Sequence, residues 1–316
     1  MQKVLLLGKN GMLGQAVQKK FEIRNSKFEI ISFGRTDLDI TNKKVVQEKI
    51  VAVNPAVIIN ATGYTNVDGA ETETEKAFAV NADGVGNIAE ACAKIGATLF
   101  HFSTDYVFDG TQENGYTEDD IEHLKPATVY GQSKLAGEVL IQNQKSPPKA
   151  DQPMAEKIKN QNDKSKLKNF KYFIIRTAWL YGAGGKNFVD TLIMRAKQGQ
   201  TEFKVVRDQC GKPTFTEDLA QTVLWMIDNK EKLGSGVYYA TNETESSRGI
   251  SWYEFAQEIF TVAHDTGIIA QKPRVMPCTT AEFPRPARRP MYSALTNTKL
   301  PKMRGWKDAL QAYVFQ

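Results

Sequence analysis

Residues 1–14 constrain this chain more than any other stretch. Lys3, Val4, Leu5, Leu6 and Leu7 form an apolar run without alternation, the pattern of a strand covered on both faces in a parallel sheet. The run stops at Gly8, and GKNGMLG then places glycines at 8, 11 and 14. Residues 12–21 continue with the spacing of an amphipathic helix. A tight turn of this kind leaves backbone N–H groups at the positive end of a helix, where a pyrophosphate can approach closely only if side chains are missing. Three glycines alone are a weak signal; between a buried strand and a helix they stand in the context of a dinucleotide site.

The alternation of strand and helix continues. A second strand, 28–33, ends in Gly34-Arg35. A carboxylate there would hold an adenosine ribose; Arg35 suits a 2′-phosphate instead, which favours NADPH and leaves NADH possible. Asp39 and Ile40 follow as adenine contacts. A helix capped by Thr41 leads to Pro55, and a third strand, 56–60, ends at Ala61, Thr62 and Gly63, small residues over which a cofactor can lie. Residues 71–94 read as one long helical segment and 97–103 as the next strand. The fold class is therefore α/β, a Rossmann-type doubly wound parallel sheet. A dinucleotide-binding domain is expected over 1–178, with 217–241 returning to it, and a smaller substrate domain over 179–316.

The fourth strand opens STDYVFDG, and YGQSK follows on a helix. Tyr130 and Lys134, at i and i+4, share a helix face about 6 Å apart along the axis. A phenol titrates near ~10, and a neighbouring ammonium favours the phenolate. Lowering it by about three units takes about 4 kcal/mol of differential stabilisation. A hydroxyl from Ser103 or Thr104 would complete a general acid for a carbonyl oxygen. Tyr-x-x-x-Lys is common by chance; the bland alternative is a helix-start aromatic beside a solvated charge. Both candidate sites nevertheless fall at carboxyl ends of parallel strands, where such sheets bind ligands.

The second half supplies a strand, 173–176, then Trp179, placed either to stack on a ligand or to pack in the core. The loop DQCGKPT offers Asp208, Gln209 and Thr214 to polar groups of a nucleotide. Helices are expected at 187–199, 217–229 and 252–263, and a strand at 236–240. Arg285, Arg288 and Arg289 lie in a proline-rich segment that suits bidentate phosphate contacts.

Charge narrows the partners. Residues 143–171 hold eight lysines and three acids, an excess equal to the whole net charge of +5. The rest is neutral, so a nucleic-acid partner is not expected, and the basic stretch reads as a solvated, mobile insertion. No run approaches the ~20 apolar residues that cross a bilayer. Cys92, Cys210 and Cys278 have no paired spacing, which suits a reducing cytoplasm. His101, His123 and His264 are scattered, read as structural, and no metal site is expected.

GKNGMLG, STDYVFDG, YGQSKLAGE and RTAWLYG together resemble the extended short-chain dehydrogenase/reductase family, and DQCGKPT and FPRPARRP resemble its dTDP-4-dehydrorhamnose reductase branch over nearly the whole chain. The resemblance implies Tyr130, Lys134 and Thr104 as catalytic residues. It implies cofactor contacts at Asn10, Gly11, Met12, Asp39, Ile40, Gly63, Tyr64 and Thr65, with Tyr130 and Lys134 alongside; the pattern of the residues themselves adds Gly8, Gly14, Arg35 and Ala61. It implies substrate contacts at Thr104, Asp105 and Trp179. It further implies reduction of the C4 ketone of a dTDP-linked 4-keto-6-deoxy sugar, in a monomer or homodimer; some members dimerise through a divalent ion whose ligands cannot be placed in this sequence. Departures are the 143–171 insertion and Gly34-Arg35 in place of an acidic strand end. Tyr106 stands where sugar-nucleotide dehydratases carry a glutamate base, which argues against dehydration. An epimerase, or a non-catalytic dinucleotide-binding subunit like that of methionine adenosyltransferase, stays open.

Overall fold

The computed structural model describes residues 1–23, 28–144 and 171–316, so the basic insertion lies almost wholly outside the described residues. The chain begins with β1 (Gln2–Leu7), α1 (Met12–Ile23) and β2 (Phe28–Phe33). Next come α2 (Lys43–Val53), β3 (Val57–Asn60), the short α3 (Val67–Ala70) and α4 (Thr74–Phe78), and then α5 (Gly84–Ile95). β4 (Thr98–Thr104), α6 (Val129–Gln142) and β5 (Tyr172–Thr177) complete the half that carries the glycine loop. The rest is β6 (Leu180–Tyr181), α7 (Phe188–Lys197), β7 (Glu202–Val206), β8 (Cys210–Gly211), β9 (Thr214–Phe215), α8 (Thr216–Asp228), β10 (Gly236–Tyr239), β11 (Ile250–Ser251), α9 (Trp252–Asp265), β12 (Arg274–Cys278) and α10 (Trp306–Val314).

Six strands pair in the order β10-β5-β4-β3-β1-β2, all parallel. The chain winds outward from β1 to β2 in one direction and through β3 in the other, so the switch point lies beside the glycine loop. β1 explains its own sequence. Val4 and Leu6 enter one core with α1 and α8, while Leu5 and Leu7 enter the other with α2 and α5. Leu5, Leu6 and Leu7 are each at most 1% exposed, about 1.5–3 kcal/mol of burial apiece. A third core of Tyr181, Phe215, Phe255, Phe260 and Trp306 is built almost entirely from later residues.

Two local expectations are corrected. Asn42, not Thr41, caps α2, accepting from the Val45 N–H, while Thr41 turns its own N–H and hydroxyl onto Asp39. The stretch 71–94 is not one regular helix: a π turn, Ala79–Asp83, separates α4 from α5. Its Asn81 is wholly buried, accepts from the Tyr64 N–H at 2.8 Å, and donates to the Tyr64 carbonyl and the Ser133 hydroxyl at 3.0 Å each. The irregular turn thus ties the loop after β3 to α6. Among the described residues no helix is long and apolar enough to cross a membrane.

Candidate active site

Gly8 has φ +90°, and a Cβ on it would sit 2.7 Å from the Ala61 carbonyl oxygen. A Cβ on Gly11 would meet nothing closer than the Gly8 oxygen at 3.6 Å, so its open side faces a ligand space. That space is a cleft of about 280 Å³ lined by Gly8, Asn10, Gly11, Arg35, Asp39, Ile40, Ala61, Gly63 and Tyr64, all expected from the sequence. Met12, Gly14, Thr65, Tyr130 and Lys134 are not among the lining residues. Gly14 instead lets α1 pack on the turn, since a Cβ there would come 2.1 Å from the Gly8 oxygen; Met12 packs against Gly185. The cradle of missing side chains fits a dinucleotide.

Lys76 also lines this cleft, with Nζ 5.5 Å above the Tyr64 ring and paired to Glu73 at 2.7 Å. Nothing in the sequence marked it, because only the fold brings α4 to the cleft. At the β2 end Arg35 is exposed, and beside it Lys9 pairs with Asp37 at 2.7 Å.

Tyr130 sits in the first turn of α6, whose cap is the Thr128 hydroxyl accepting from the Gly131 N–H at 3.0 Å. The Tyr106 ring meets it edge-on with centroids 5.5 Å apart. Burial pushes the phenol up to about 12, with Thr104's hydrogen bond pulling it down and the Asp105 charge pushing it further up. Lys134 is not among the groups that shift it here; the lowering expected from the sequence rests on a cationic cofactor ring as well as the ammonium. Shared helix face did place the two residues together, but the Lys134 amine reaches into β4 instead. It donates to the Phe102 carbonyl at 2.6 Å and lies 3.4 Å from His101 Nε2. Burial lowers Lys134 itself to about 8, against an upward push from Glu138.

The two hydroxyls separate cleanly. Ser103 donates to Glu138, which also grips Arg176 through both carboxylate oxygens at 3.0 and 2.6 Å, so Thr104 alone is left beside the phenol. Thr104 donates to Asp105 Oδ1 at 2.9 Å. Asp105 is 2% exposed, and its Oδ2 has no hydrogen-bond partner among the described residues. Burial raises this carboxyl to about 6; the Ser293 hydroxyl is near enough to counter that in part but spends its own hydrogen bond on the Cys210 carbonyl.

A second cleft of about 320 Å³ lies among α7, β7 and the proline-rich segment. Gln209, Arg285 and Arg289 line it, with Trp252, Phe283 and Arg195. Arg289 is not a free phosphate ligand: it forms a bidentate pair with Asp68 at 2.8 and 2.9 Å and also donates to the Ala287 carbonyl at 3.3 Å. Arg288 is exposed and lines neither cleft. Trp179 has φ +46°, is half-buried, and stacks on the cleft residue Trp252 with centroids 3.6 Å apart. Asp208 accepts from the Thr280 N–H and hydroxyl, and Gln209 donates to that same hydroxyl at 3.0 Å. Thr214 is fully buried in β9, its hydroxyl turned to the Lys212 carbonyl. Among the described residues no group of three or more His, Cys, Asp or Glu could hold a metal ion.

Comparison with known proteins places this geometry in a family. The model of the RmlD substrate binding domain matches residues 1–148 and 159–316. A dTDP-4-dehydrorhamnose reductase of Aggregatibacter actinomycetemcomitans is 37% identical over 98% of both chains. Two crystal structures described as dTDP-4-dehydrorhamnose reductases superpose over nearly the full length. The Clostridium acetobutylicum protein has TM-score 0.81 and 40% identity, covering 99% of each chain. The Bacillus anthracis protein, in complex with NADP, has TM-score 0.82 and 34% identity, covering 100% of this chain and 99% of that one. With near-complete coverage on both sides, the chain belongs to the RmlD family of dTDP-4-dehydrorhamnose reductases.

Proposed function

We propose that this chain is an NADPH-dependent reductase that converts dTDP-4-dehydro-L-rhamnose to dTDP-L-rhamnose. The observation that carries the reading is the cluster at the end of β4: a phenol, a hydroxyl and a buried carboxylate oxygen without a partner among the described residues, at the same carboxyl edge of the parallel sheet as the glycine-lined cleft. NADPH, when bound, supplies the hydride. A phenol held near 12 stays protonated across the neutral range, so Tyr130 is in the form that donates to a developing alkoxide. Thr104, which donates to Asp105 Oδ1 in this structure, turns its one hydroxyl proton to that same oxygen instead, and Lys134, poised near 8, returns the proton to Tyr130. Asp105 Oδ2 accepts from a sugar hydroxyl, which supplies the missing partner.

Arg35, at a strand end without a carboxylate, takes the 2′-phosphate, and the B. anthracis relative's NADP supports that choice. The aromatic and arginine-lined second cleft suits a base and diphosphate. On this reading residues 1–178 with 217–241 carry the dinucleotide and the remainder the sugar nucleotide, in a cytoplasmic monomer or homodimer. The test mixes the protein with NADPH and dTDP-4-dehydro-L-rhamnose. Stoichiometric loss of dihydronicotinamide absorbance is expected, with turnover abolished in Tyr130→Phe while its NADPH affinity stays within about threefold. Full activity in that variant refutes the role of Tyr130; a tightly retained NAD with no net consumption would instead favour epimerisation.

A further inference from the structure

A chain of buried polar groups runs from the catalytic lysine to the floor of the cofactor cleft. Asn60 and His101 are wholly buried and Lys134 is 5% exposed. Asn60, the last residue of β3, receives two donors from Thr62, the backbone N–H at 3.2 Å and the hydroxyl at 2.5 Å. A backbone N–H can only donate, so the group it meets is the amide oxygen. That orientation turns the Asn60 NH₂ toward His101 Nδ1, 3.1 Å away. Nδ1 must then accept, and a neutral imidazole carries its proton on Nε2. Nε2 lies 3.4 Å from Lys134 Nζ.

A donor facing an ammonium is a poor arrangement; a donor facing an amine lone pair is a good one. Lys134 also has the Phe102 carbonyl as an acceptor at 2.6 Å, so its neutral form can donate to one neighbour and accept from the other. The remaining charged and titratable groups around it are Tyr130 and Glu138 on its own helix, Arg176 of β5 and Asp105 after β4. Glu138 is taken up by Arg176, and Asp105 Oδ1 by Thr104. Even so, the Glu138 charge still favours the ammonium of Lys134, opposing the imidazole proton and burial.

We propose that His101 is a positioning residue, locked as the Nε2–H tautomer by Asn60 and Thr62, and that this proton favours the amine form of Lys134 and so readies the lysine to release a proton. Burial keeps the imidazole itself uncharged and lowers Lys134 in the same sense. The value of this for proton return to Tyr130 rests on the reductase reading; the tautomer and its coupling to Lys134 do not.

The test separates the two. The chain has three histidines, so a histidine-labelled sample gives few imidazole signals, and His101→Phe assigns the one of interest. Nitrogen NMR should show Nδ1 bare and Nε2 protonated from about pH 6 to 9, with an inflection in the Nε2 shift as Lys134 titrates that vanishes in Lys134→Met. An Nδ1–H tautomer, an imidazolium signal near pH 6, or a wild-type Nε2 shift without that inflection overturns the proposal. Asn60→Asp should reverse the tautomer and move the alkaline limb of kcat upward by about one pH unit or more. A reversed tautomer with an unmoved limb would overturn the link to turnover while leaving the reductase assignment intact.

Discussion

Glu138→Gln should be the most damaging single-atom exchange in the core of this protein. Glu138 is 1% and Arg176 3% exposed, and the guanidinium meets both carboxylate oxygens, at 3.0 and 2.6 Å, while Ser103 adds a third donor. A glutamine keeps one acceptor oxygen and, because Arg176 meets both positions, turns an NH₂ toward the guanidinium in either flip, donor against donor. Arg176 would retain the Tyr239 hydroxyl at 3.3 Å and the Phe108 face at 5.1 Å. A desolvated cation over an aromatic ring contributes about 2 kcal/mol, whereas an uncompensated buried charge costs about 3–5 kcal/mol. The net loss is expected at about 3 kcal/mol or more, a large share of a typical 5–15 kcal/mol. The assay is a urea midpoint followed by circular dichroism, with the slope unchanged. Glu138→Met combined with Arg176→Met should recover most of the loss, because an apolar pair of similar volume removes both charges together. A single variant within about 1 kcal/mol of wild type, or a double variant no better than the single, would refute the reasoning. A second readout follows from sign. Glu138 is the group that holds Lys134 up against burial, so neutralising it drops Lys134 further and moves the alkaline limb of activity to lower pH.

Arg35→Ala should raise KM for NADPH by about tenfold or more while leaving KM for NADH nearly unchanged, since one charge-assisted phosphate contact is worth about 1.5–3 kcal/mol; equal effects on both cofactors would count against the 2′-phosphate role. Asp105 is raised to about 6 in the folded chain from an unfolded value near ~3.9, so the native state binds the extra proton between those values. Its contribution to stability is full below pH ~4 and lost as pH rises through about 6, so Asp105→Asn should flatten that part of the stability profile; an unchanged profile would show that the carboxyl is not held up by burial.

The glycine-lined cleft is legible in the sequence because its signals are local. An unbroken apolar run, three glycines at fixed spacing and a strand end without a carboxylate each describe a few neighbouring residues, and backbone sterics turn them into a strand, a turn and a helix start. Nine of the expected lining residues do line it. Tyr130 and Lys134 were likewise placed on one helix face by periodicity alone. What sequence could not decide is where side chains go once distant elements meet. Ser103 and Thr104 are adjacent and chemically alike, yet the pleat sends one to Glu138 and the other to the phenol. Lys134 stretches to a β4 carbonyl rather than along its helix, and Arg289 finds Asp68 across more than two hundred residues of chain. Helix and strand periods are written in neighbouring residues; such pairings depend on packing between elements that the sequence keeps far apart, so only the tertiary structure decided them.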